Sequence, residues 1–106
     1  MKIRMSEDFK VAYKRLKKRH KSLDADFGRL LGSLLQNPAQ GVEIESGVRK
    51  VRLAITSKGR GKSGGARVII RVRFTVDELQ LLYIYDKSGY ENISDSFLRD
   101  VLKRME

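Results

Sequence analysis

Residues 56–74 read TSKGRGKSGGARVIIRVRF, and the way the second half of this stretch folds decides the architecture. Its centre, GKS (Gly61–Ser63), matches the close of a phosphate-binding P-loop. That motif needs a glycine five residues before Gly61, where this chain has Thr56. It also needs a helix on its C-terminal side whose amides cradle the phosphates. Residues 67–74 instead read RVIIRVRF, a run of β-branched and aromatic residues alternating with period two, which is strand chemistry. Val68, Ile70, Val72 and Phe74 fall on one face, and Arg67, Arg71 and Arg73 on the other. The glycine-rich stretch is therefore predicted as a basic loop between two strands and not as a nucleotide site.

Working outward, RKVRLAI (Arg49–Ile55) alternates in the same way, with Val51, Leu53 and Ile55 opposite Lys50 and Arg52. VEI (Val42–Ile44) is a short strand turning at Ser46-Gly47. After the turn region TVDE, LQLLYIYDKS sets Leu82 and Ile84 against Leu81, Tyr83 and Tyr85. KIRM (Lys2–Met5) forms a first short strand. Ser6 is a candidate N-cap, with Glu7 and Asp8 in the first turn where negative charge suits the helix dipole. Phe9, Tyr13 and Leu16 come next at helical spacing. A second helix starts near Ser22, carries Leu23, Phe27, Leu30, Leu31 and Leu34 as its stripe, and stops at Asn37-Pro38. Ser94 caps a last helix with Phe97, Leu98, Val101, Leu102 and Met105 as its apolar positions. The predicted class is α+β: an N-terminal helical hairpin packed on one face of a small, mainly antiparallel β-sheet, plus a C-terminal helix. At 106 residues the expectation is one domain spanning 1–106.

Charge narrows the partners. Twenty-three Lys and Arg against thirteen Asp and Glu leave +10, and residues 49–73 hold nine cations and no acid. Such a block repels itself, and the compensating partner is a polyanion. No apolar run approaches the ~20 residues that span a bilayer, and MKIRMSEDFK lacks the apolar core of a signal peptide. With no cysteine there is neither a disulfide framework nor a thiolate metal site. A cytoplasmic protein with no membrane partner is expected.

If the aliphatic faces of the central strands meet the helices, one open sheet face carries Lys50, Arg52, Arg67, Arg71, Arg73, Tyr83 and Tyr85, with Lys87 just past the strand end. Cations to neutralise phosphates and aromatic rings to stack on unpaired bases are what single-stranded RNA requires. An ordinary solvated face would mix signs across strands. Lys58, Arg60 and Lys62 in the glycine-rich loop would reach along the same phosphate chain, and the basic run Lys14–Lys21 faces solvent or ribosomal RNA.

KVRLAITSKGRGKSGGARVII followed by LLYIYDKSGYENIS resembles the RelE/HigB branch of bacterial toxin–antitoxin toxins, with GKSGGARV and IYDKS the most distinctive pieces. The resemblance spans nearly the whole chain. It implies a ribosome-dependent endoribonuclease (an mRNA interferase) that cuts mRNA in the decoding site, inhibits translation, and is held inactive by a cognate antitoxin. In such toxins basic residues on the two central strands are catalytic, and Lys50, Arg52 and Arg67 match that placement. The family's basic residue after the last strand corresponds to Lys87. Some members use a tyrosine in the C-terminal segment; Ile93 stands in register here, and Tyr85 or Tyr90 is the substitute.

The residues suit that chemistry. Cleavage by the adjacent 2′-OH needs a base, charge stabilisation at the phosphorane, and an acid for the 5′-oxygen. One histidine, His20, excludes a histidine-pair nuclease. His20 reads as a helix-end or surface residue. No paired carboxylates share the open face, so no metal and no small-molecule cofactor is expected. A lysine crowded by cations gives up its proton more readily, which makes Lys50 or Lys87 the base. Arg67 offers a planar fork to the phosphate oxygens. Lys58, Arg60, Lys62, Arg71, Arg73 and Tyr83 are then RNA contacts. Two other readings stand beside this one: a ParE-like toxin that inhibits gyrase, and a non-catalytic RNA- or ribosome-binding module.

Overall fold

The computed structural model describes residues 1–58, 64–87 and 93–106. Five strands form one sheet in the order β1-β5-β4-β3-β2. They are β1 (Lys2–Met5), β2 (Val42–Glu45), β3 (Val48–Leu53), β4 (Ala66–Arg73) and β5 (Glu78–Asp86). β1 runs parallel to β5, and the other three pairings are antiparallel. The helices are α1 (Glu7–Arg19), α2 (Leu23–Gln36) and α3 (Asp95–Arg104). Among the described residues the class is α+β, with three α-helices on a five-stranded mixed sheet.

Ser6 does three jobs at the first junction. Its Oγ accepts from Phe9 N at 2.8 Å, which caps α1, and donates to the Leu82 carbonyl at 2.6 Å. Its own N–H reaches the Leu81 carbonyl at 3.0 Å, so the helix start is tied to β5. Ser94 caps α3 through Phe97 N. Ser22 occupies the N-cap position of α2 but gives no side-chain cap bond there; its hydroxyl is engaged elsewhere.

The two sheet faces hold separate cores. On one, Phe9, Leu16, Leu23, Phe27 and Leu34 from α1 and α2 pack against Val51, Leu53, Val68, Ile70, Leu79, Leu81 and Ile84. Phe27 sits 5.5 Å from Phe9 and 5.3 Å from Tyr13, ring centre to ring centre. On the other face Leu98 and Val101 of α3, with Met105 just past its end, lie over Val48, Ile69, Leu82 and Tyr85. Each fully buried Leu, Ile or Phe contributes about 1.5–3 kcal/mol by leaving water.

This corrects three expectations. The second face is not open, because α3 covers part of it and Tyr85 is only 2% exposed. Alternation along β5 also slips by one residue: Ile69 pairs with Tyr83 and Ile70 with Leu81, leaving Leu82 as an extra residue. This β-bulge sends Leu81 to the α1–α2 side with Ile84 and Leu82 to the α3 side, opposite to strict alternation. The Ser6 hydroxyl takes up the Leu82 carbonyl at that point. Finally, Phe74 is not a core residue: β4 ends at Arg73, and Phe74 lies in a 3-10 turn with 71% of its surface exposed.

Candidate functional site

β2 is short, and its pairing with β3 ends at Val42–Lys50. Among the described residues, the outer edge of β3 beyond Lys50 is therefore left without a strand, and a groove of about 830 Å³ occupies the space. Asp26, Arg29 and Ser33 of α2 form one wall, Gln40–Val42 another, and residues 50–54, in β3 and just past its end, the floor. Arg49 stiffens the second wall: its Nε donates to the Gln40 carbonyl at 2.7 Å and its Nη2 to the Gly41 carbonyl at 3.1 Å. Gly41 is required there, because its φ is +76° and a Cβ would stand 2.2 Å from the Lys50 carbonyl oxygen.

Lys50, Arg52, Arg67 and Lys87 all line this one groove. They come from β3, β4 and the end of β5. Arg52 and Arg67 are direct cross-strand partners, and Tyr85 continues the row on β5. Like charges in directly opposed positions cost stability. Arg52 and Lys87 are exposed and Lys50 half-buried, whereas Arg67 is only 7% exposed and donates from Nη1 to the Ala66 carbonyl at 3.0 Å. Guanidinium and ammonium groups converging on a concave surface form a receptacle for phosphate oxygens.

The remaining candidates are dispersed. Arg71 lies four residues along β4 from Arg67, about 13 Å away at the rise of a strand. There its Nε donates to Gln80 Oε1 at 2.7 Å, while Gln80 Nε2 donates to Glu78 Oε1. Burial, with the Arg73 charge beside it, lowers the Arg71 pKa. Arg73 is exposed and pairs with Glu78 across the strands. Tyr83 stacks on Tyr85 at 6.2 Å and meets Phe97 of α3 edge-on at 4.8 Å, so both rings belong to the α3 packing. Burial pushes the Tyr85 phenol up, partly offset by the Arg67 charge. Lys58 is drawn inward, its Nζ 2.8 Å from Asp86 Oδ1. Arg60, Lys62 and Tyr90 lie outside the described residues. His20 caps the end of α1, with Nε2 2.9 Å from Asp86 Oδ2.

Sequence reasoning missed Asp26, Asp86 and Arg29. Asp26 accepts from Thr56 N at 2.8 Å and Thr56 Oγ1 at 2.6 Å, lies 2.7 Å from Ser22 Oγ, and pairs with Arg29. Burial would raise its carboxyl, but the bonds from Thr56 and Ser22 and the Arg29 charge outweigh it and hold the group below the usual carboxylate range. A signal existed: Asp26 sits three residues after Leu23 and one before Phe27, on the apolar stripe of α2. Among the described residues, no three His, Asp or Glu side chains converge as a metal site would require.

The helical pair and α3 thus lie on opposite sides of the sheet, with a cation-lined groove at its edge. The isolated E. coli RelE toxin, solved as a crystal structure, superposes with a TM-score of 0.62 over 99% of this chain and 98% of that one, at 13% sequence identity. At that identity the likeness concerns the fold. No protein-family model matches the chain. No helix among the described residues is long and apolar enough to cross a membrane.

Proposed function

We propose that the chain is a toxin of the RelE type, a single-domain, metal-independent endoribonuclease that cuts mRNA in the ribosomal decoding site. The observation that carries this reading is the gathering of Lys50, Arg52, Arg67 and Lys87 in one groove, with Arg52 directly opposite Arg67. A scissile phosphate acquiring charge in a phosphorane is the kind of anion that such a group of cations stabilises. Lys50 or Lys87 takes the 2′-OH proton, and Arg67 and Arg52 hold the equatorial oxygens. In this reading the second lysine protonates the departing 5′-oxygen. A cytoplasmic location follows from the ribosome as site of action. The partner that fits this reading is a cognate antitoxin with acidic or apolar surface near the basic sheet or the helical pair, and the similar structure is itself described as a toxin.

The test is toeprinting of a defined mRNA on programmed ribosomes with the parent protein, Arg52→Ala and Lys87→Ala. Both residues are exposed, so the variants should fold. A cut in the decoding site that falls about 10²–10³-fold in each variant is expected. A folded parent that binds ribosomes without cutting would make it a binding module. Failure to bind ribosomes, joined to inhibition of gyrase supercoiling, would make it a ParE-like toxin.

A further inference from the structure

The base of the glycine-rich loop is gripped from two sides by buried carboxylates. From α2, Asp26 accepts from the backbone and hydroxyl of Thr56, at the start of the 3-10 turn Thr56–Lys58. From the end of β5, Asp86 stands between two basic side chains, with Lys58 Nζ at 2.8 Å and His20 Nε2 at 2.9 Å. All three side chains are nearly buried, at 6% exposure for Asp86, 12% for Lys58 and 11% for His20. Asp86 also pairs with Ala66 across β4 and β5, and the Lys87 N–H donates to the Gly65 carbonyl at 3.0 Å. The end of α1, the turn and the ends of two strands thus meet at one carboxylate. The residues next to that junction are Arg67 and Lys87, two of the four groove cations.

Burying ionisable groups is a weak means of stabilising a strand end, since desolvation consumes most of the Coulombic gain. What a two-sided charge-assisted contact supplies is a fixed direction. We propose that Asp86 is a positioning residue for the groove: held by Lys58 and His20, it sets the ends of β4 and β5 so that Arg67 and Lys87 address the same phosphate. Lys58 then belongs to this brace and not to the RNA contacts. The role rests on the nuclease reading above.

Single-turnover cleavage of a defined mRNA on ribosomes tests it, using the parent, Asp86→Asn, Lys87→Ala, the double variant and Lys58→Met, each checked for folding by circular dichroism. Asp86→Asn is expected to slow cleavage about 10- to 100-fold at unchanged ribosome affinity, since a displacement near 1 Å at a reacting centre has that effect. In the Lys87→Ala background the same change should cost clearly less than in the parent, because the part of its effect that runs through Lys87 is already gone. An unchanged rate in folded Asp86→Asn, or a full multiplicative loss in the double variant, overturns the positioning role. Should Asp86→Asn not fold, Lys58→Met decides. A slower cut with unchanged affinity and salt dependence supports the brace, whereas weaker, less salt-dependent binding at an unchanged rate returns Lys58 to the RNA contacts and overturns it. A parent that does not cut removes the nuclease reading and this role together.

Discussion

The two ends of the α3-bearing sheet face carry the same residue type in the same alternation phase and use it differently. At the groove end Arg67 stands opposite Arg52 with Lys50 and Lys87 nearby, so cation meets cation. At the far end Arg71 stands opposite Val48 and Gln80, and its Nε joins a chain of amide and carboxylate, Arg71 to Gln80 to Glu78. Position along the strand separates a guanidinium that lines the groove from one that bonds to a neighbouring side chain. An arginine on a basic strand is therefore informative only with its cross-strand neighbours in view.

The largest effect expected at the groove end is on folding itself. A Cβ on Gly65 would lie 2.0 Å from the Leu53 carbonyl oxygen, so Gly65→Ala must push β3 and β4 apart where the cations are seated. A loss of about 3 kcal/mol or more is expected by urea unfolding; a near-neutral variant would show that the strand ends yield easily. Cleavage separates the two ends directly. Whereas Arg52→Ala should lose activity by orders of magnitude, Arg71→Ala should retain it within about tenfold while melting earlier. Equal losses of activity would erase the distinction between the two ends.

A smaller effect isolates the far end. Gln80 is fully buried, and Gln80→Leu leaves the Arg71 Nε and Glu78 carboxylate without their amide. About 1–3 kcal/mol of stability should go, with cleavage per folded molecule unchanged. Smaller still is the acid response of the groove wall. Asp26 is held below the usual carboxylate range in the folded chain, so its contribution is fully present above the unfolded value of about 3.9. It is lost as pH falls through the lower folded value. Unfolding free energy of the parent should therefore drop in that acid window. Asp26→Asn should be less stable at neutral pH and flatter below about pH 4, and a parallel curve for the two proteins would refute the assignment.

Much of the scaffold was legible because it rests on local rules. Ser6 and Ser94 were recognisable caps, and each does accept the amide three residues on. Period-two alternation located β3 and β4 and correctly put Lys50, Arg52 and Arg67 on one face. The strand after GKSGG could be read because β-branched residues cannot disguise their period. Failures came where a local rule is overridden at long range. The bulge at Leu82 coincides with the Ser6 hydroxyl, 76 positions away, reaching its carbonyl. Tyr85 reads as a surface tyrosine until α3 is laid on it.

Charge content, the phase of β3 and β4, helix caps and the absence of a P-loop came from composition and near-neighbour spacing, because they depend on covalent geometry and side-chain type. Contacts between distant segments set which cations share a groove, which are consumed internally, and which carboxylates brace the loop. Asp26 with Thr56, Asp86 with Lys58 and His20, and Gln80 with Arg71 are joined only once the sheet has formed. A charged side chain's role is fixed by what lies within a few ångströms of it, and for these residues those neighbours arrive from other elements of the fold.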